Sequence, residues 1–99
     1  MKTNDELFGE FHSLYGAYEE KMEHISHAHQ QGILARETFI KALNNSMGDL
    51  YMEIRQWFLA LSYEDQVTVV YMCADSQAMN NSLYGVVMEI HPSLAAIIG

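Results

Sequence analysis

Imidazoles and carboxylates crowd the first third of the chain, and they are the side chains best suited to chemistry. Glu20, His24 and His27 stand at i, i+4 and i+7, so on a helix they share one face. Imidazole nitrogen and carboxylate oxygen on one face suit zinc or nickel. The same helical wheel turns this trio away from the apolar stripe, into solvent. Metal-binding bundles instead draw inward carboxylates and Glu-x-x-His pairs from facing helices. No Glu-x-x-His or His-Glu-x-x-His spacing occurs here. A solvated polar face is the leading reading, and a metal or small-molecule site at Glu20, His24 and His27 is the alternative. His29 falls on the apolar stripe and reads as a hydrogen-bonded histidine at the edge of the core.

Nucleophilic chemistry has little to work with. The single cysteine, Cys73, excludes an internal disulfide and a cysteine-based zinc site. It sits in an apolar run, where an inert buried thiol is expected. There is no Gly-x-Ser-x-Gly and no glycine-rich phosphate loop. The expectation is a non-enzymatic protein with no catalytic residues and no cofactor.

Charge points outward. Thirteen acidic residues stand against five basic ones, for a net charge of -8. Such a field repels nucleic acid and anionic membrane, and it either attracts a basic protein surface or serves only to keep a small protein soluble. Glu10, Glu19, Glu20 and Glu23 form an acidic row on the first helix, opposed by Lys2 and Lys21. Carboxylates on a rigid helix can occupy a surface that normally receives phosphates, so nucleic-acid mimicry is one form this binding would take. A second candidate surface is apolar. Met52 and Leu59 lie one heptad apart on the back of the second helix, with Tyr63 and Val70 in the third turned outward too. Exposed methionine and aromatic side chains favour contact surfaces, here for a partner or a homodimer. The functional expectation is an inhibitor or adaptor that occupies a protein partner.

Helices must position all of these groups. With 99 residues, 49% of them hydrophobic, the chain reads as one folded domain over residues 1–99. Leu7, Phe11, Leu14, Tyr18, Met22, Ile25 and His29 recur at helical spacing and predict a helix over about residues 4–31. Thr3 and Glu6 have the spacing of a capping box at its start, and Gly32 suits a left-handed cap at its end. The second helix, about 35–61, carries a seam of Ile40, Leu43, Met47, Leu50, Ile54, Trp57 and Leu61. A kink near Gly48 is compatible with that seam. The short link at Gly32 folds the two into an antiparallel hairpin.

Ser62 then reads as an N-cap. Val67–Ala74 is apolar almost all round and suits either a buried helix or a strand paired with residues 84–90. The helical reading is preferred, with helices over about 63–79 and 82–91, broken near Asn80-Asn81-Ser82. Pro92 ends the fourth helix and suits the first position of a short terminal helix or tail. The resulting expectation is an all-α four-helix bundle built on the long hairpin. No apolar run reaches the ~20 residues needed to span a bilayer. The polar start lacks the pattern of a signal peptide, and a cytoplasmic location is expected.

Overall fold

Two helices, α1 (Asn4–Gln30) and α2 (Arg36–Ala60), form the antiparallel hairpin. The computed structural model describes every residue from Met1 to Gly99. Thr3 and Glu6 close the capping box that starts α1. Its end is a Schellman motif. The amide of Ile33 reaches the Ala28 carbonyl, and that of Gly32 reaches His29, with Gly32 at φ 75°. His29 lies near the tip of the hairpin, away from the core. Its Nδ1 donates to the Leu34 carbonyl at 3.1 Å, and its ring stacks on Phe39 with centroids 4.2 Å apart. Helix α2 runs unbroken through Gly48.

Three shorter helices complete the fold: α3 (Tyr63–Asp75), α4 (Gln77–Ile90) and α5 (Pro92–Ile98). The chain is 87% helical with no strands, so Val67–Ala74 is helix. The boundary between α3 and α4 falls at Ser76, earlier than the Asn80–Ser82 cluster expected to mark it. Ser76 is extended, and its hydroxyl accepts from the Met79 amide at 3.4 Å. The asparagines ride inside α4 because their amides find partners there. Gln77 donates to Asn81, and Asn80 donates to the Ile98 carbonyl, securing α5.

The core lies at one end. Leu7 and Phe11 enter it from α1, Ile54 and Phe58 from α2, and Val69, Cys73, Leu83 and Val86 from the shorter helices. Gln66 ties the base together with a fully used side-chain amide. It donates to the carbonyls of Phe58 and Leu61 and accepts from His91 Nε2 at 2.6 Å. Val70, expected on an outward face, is wholly buried because α5 packs against α3.

Helix length decides the shape. At ~1.5 Å per residue, α3 and α4 are about 20 Å long and α1 about 40 Å, so the short helices cover only half of the hairpin. The rest projects as a two-helix arm, and the molecule measures 47 × 24 × 22 Å. Along that arm the predicted α2 seam is rotated. Ser46 is buried where Met47 was expected, and the inner line runs Phe39, Leu43, Ser46, Leu50, Ile54. A small serine lets the two backbones approach, whereas methionine at that point would hold them apart.

Candidate protein-binding face on the helical arm

The rotation of α2 leaves apolar side chains on one flank of the arm. Ile40 is 44% exposed, Met47 57% and Tyr51 37%, and Ile33 in the hairpin turn is exposed as well. Ile40, Met47 and Tyr51 share a face, since helical neighbours repeat at three, four and seven residues. In a complete four-helix bundle another helix would cover this flank. Here α4 covers only the base of the flank, where Asn81, Ser82, Gly85 and Glu89 reach the crevice and Tyr51, and Ile40 and Met47 beyond it stay exposed.

Where arm meets head, the flank deepens into a crevice of about 270 Å³. Tyr15 and Tyr18 form one wall, Met47, Tyr51 and Ile54 the other, and Asn81 and Ser82 of α4 close the end. An aromatic ladder fixes the tyrosine wall. Trp57 packs on Phe11 with centroids 6.3 Å apart, Phe11 stacks on Tyr15 at 5.9 Å, and Tyr15 meets Tyr18 at 6.0 Å. Because Phe11 is anchored in the core, the wall is held from below.

The opposite wall is held by polar contacts. Tyr51 donates its hydroxyl proton to Glu89 at 2.9 Å, and Arg55 grips the same carboxylate through Nε at 3.1 Å and Nη2 at 3.0 Å. The hydrogen bond from Arg55 lowers the pKa of Glu89, with Tyr51 adding to the effect. The Glu89 contact in turn raises the pKa of the Tyr51 phenol. Tyr51 therefore presents a fixed, neutral ring edge to the crevice.

The acidic row is reshaped. Glu10 is withdrawn from it into a clasp at the base. It accepts from Lys2 Nζ at 2.7 Å and from Trp57 Nε1 at 2.8 Å, and Lys2 above all, then Trp57, lowers its pKa. The Lys2 amide donates to Asp65, so the clasp joins the N-terminus to α1, α2 and α3. Lys21 reaches across to Asp49 at 3.4 Å. Glu19, Glu20 and Glu23 remain exposed and make no ion pair. Glu19 follows Tyr15 at i+4, so it borders the crevice wall on the side of the tip, while Glu23 turns toward the polar depression that Glu20, His24 and His27 line.

The other sequence candidates stay apart. Glu20, His24 and His27 line a depression of about 580 Å³ on α1 with Glu23, Ser26 and Gln30, all of them polar. No three His, Cys, Asp or Glu side chains are placed to hold a metal ion. Met52, Leu59 and Tyr63 are exposed, but Met52 lies about 100° around α2 from Tyr51 and faces away from the crevice. The edge of the Tyr63 ring instead meets His91 at 5.7 Å. Cys73 is buried, and burial pushes its thiol up to about 12, which leaves no thiolate for chemistry at neutral pH.

Sequence reasoning missed Ile40, Met47 and Tyr51 as a surface, although one signal was present. Phe39, Leu43, Ser46, Leu50 and Ile54 fit a helical face as well as the chosen seam does, with a serine in the line. Comparison of the chain with protein-family models, with curated proteins and with solved structures gives no match to any of them.

Proposed function

We propose that this chain is a protein-binding module that acts by occupying a partner, as an inhibitor or adaptor, and that the arm is its contact element. The observation that carries the reading is the uncovered flank. A two-helix arm leaves Ile40, Met47 and Tyr51 in solvent beside a rigid tyrosine-lined crevice. Contiguous exposed apolar surface on a soluble protein marks interaction sites. Tyrosine and methionine are residue types that interfaces enrich. The partner's surface is basic on this reading, because Glu19 beside the crevice wall and Glu20 and Glu23 further around α1 supply unpaired negative charge to the arm.

The test is site-specific photo-crosslinking in the native host. A photoreactive residue placed at Met47 or Ile40 should give discrete adducts with a protein. The same residue at Ala60, on the outer surface of the head, should give none. Absence of protein adducts from both arm positions would defeat the proposal.

A further inference from the structure

We infer that the partner element seated on the arm is a basic amphipathic α-helix, which lies along the flank and puts one large apolar side chain into the tyrosine crevice. This inference rests on the protein-binding reading above and adds the chemistry of the partner. The first argument concerns backbone. Each arm helix satisfies its amides and carbonyls internally, so the arm offers no open strand edge for β-augmentation. A helix brings a backbone that is already hydrogen-bonded, so it can cover Ile40 and Met47 without stripping water from unpaired amides.

Dimensions agree. From Ile40 to Tyr51 the flank rises about 17 Å, which is roughly three turns of helix. Two antiparallel helices leave a furrow between them that accepts a third. The crevice of about 270 Å³ at the base of the furrow takes an apolar anchor between Tyr15 and Met47. Asn81 and Ser82 close that end, so the bound helix stops there.

Charge sets the class of helix. Glu19, one turn after Tyr15, borders the α1 side of the furrow without an ion-pair partner, and Glu20 and Glu23 add unpaired negative charge further around α1. A helix with lysine or arginine flanking its apolar stripe meets this acidic side. Charge also disfavours a second copy of this chain as occupant. Each copy carries -8, and pairing two arms with their tips opposed sets one α1 rim against the other, acid against acid. The homodimer expected from Met52 and Leu59 would use a different face.

A displayed library tests this on the full-length protein. The library holds amphipathic helices of five turns with a fixed apolar stripe and with lysine, glutamate or serine at the flanking positions. On wild type, lysine-flanked helices should be enriched at least about tenfold over glutamate-flanked ones at low salt. That preference should shrink as ions screen the rim. Ile40→Glu/Met47→Glu should abolish enrichment, while Glu19→Lys/Glu20→Lys/Glu23→Lys should reverse the charge preference. All substituted positions are exposed, and circular dichroism of each variant checks that it remains helical. No enriched helix, enrichment indifferent to charge, or enrichment that survives Ile40→Glu/Met47→Glu each overturns the inference. So does sedimentation of wild type as a dimer that Met47→Glu dissociates, because the flank would then belong to a second copy. Crosslinks from Met47 to a host protein would persist after a failed selection if only the helix assignment were wrong. Their absence would instead strike the protein-binding reading itself.

Discussion

The base and the tip of the hairpin belong to the same two helices and yet are built on different terms. At the base, Leu7, Phe11, Ile54 and Phe58 are buried among three further helices. In the arm, Leu14, Met22, Ile25, Leu43 and Leu50 are half-covered, and Ser46 is the single fully buried residue. Burial of a large apolar side chain contributes about 1.5–3 kcal/mol, so most of the stabilising area lies in the head. The arm is held by local helical hydrogen bonds, its Schellman turn and one line of contacts. Free energies of opening should follow that division, with the arm at the low end. What the difference teaches is that the surface offered to a partner is the part of the hairpin the core does not cover.

The largest expected effect would expose that asymmetry directly. Phe58→Ala should destabilise the protein by about 3–5 kcal/mol, because the residue is wholly buried and the head cannot close around the cavity. Leu43→Ala, in the arm, should cost less, about 1–2 kcal/mol, since its side chain is only partly buried. Urea midpoints compare the two. Equal losses would mean that the arm is packed as tightly as the head, and the comparison would break.

Gly32→Ala probes the arm alone. Gly32 sits at φ 75°, where a β-carbon costs about 1–2 kcal/mol, and the space around it is otherwise open. If the arm opens independently, hydrogen exchange of arm amides should speed up several-fold while the urea midpoint of the head barely moves. A global midpoint that falls by the full penalty would show that arm and head unfold as one unit.

Much of this architecture was legible in the sequence, and the reason is local. Thr3 and Glu6, Gly32, Ser62 and Pro92 mark helix ends through short-range hydrogen bonding and backbone geometry, and each acts where its spacing places it. Ser76 was missed because a lone serine is a weaker signal than Asn80-Asn81-Ser82, yet its hydroxyl makes the cap. The rotation of α2 was missed for a different reason. Periodicity defines a stripe, but the choice between Ser46 and Met47 depends on how closely α1 approaches, a long-range fact. The Glu10 clasp lay further out of reach, since Trp57 and Asp65 are distant in the chain and neither belongs to a motif with it. Among the candidate residues, Glu19, Glu20 and Glu23 could be read as an exposed row, while the apolar half of the surface needed the helix lengths to be compared.

Glu10 gives the smallest expected effect and sharpens the contrast from the side of the head. Its pKa lies below the ordinary 4.5, because Lys2 and then Trp57 donate to the carboxylate. A carboxyl group whose pKa is lowered by folding adds stability above its unfolded pKa. That contribution is lost as pH falls through the lowered value. The clasp should therefore stabilise the head at neutral pH and release it in acid, below the ordinary carboxylate range. Partial exposure and salt keep the effect small, within the ~0–1 kcal/mol usual for surface ion pairs. Glu10→Gln keeps an acceptor for Trp57 but discards the charge. Thermal melts of both proteins at neutral and acidic pH should show the variant losing less stability on acidification than wild type. Arm amides, remote from the clasp, should keep their exchange rates relative to one another. If both proteins lose the same stability in acid, the Lys2–Glu10–Trp57 contact contributes nothing to holding the N-terminus, and other carboxylates carry the acid sensitivity of the head.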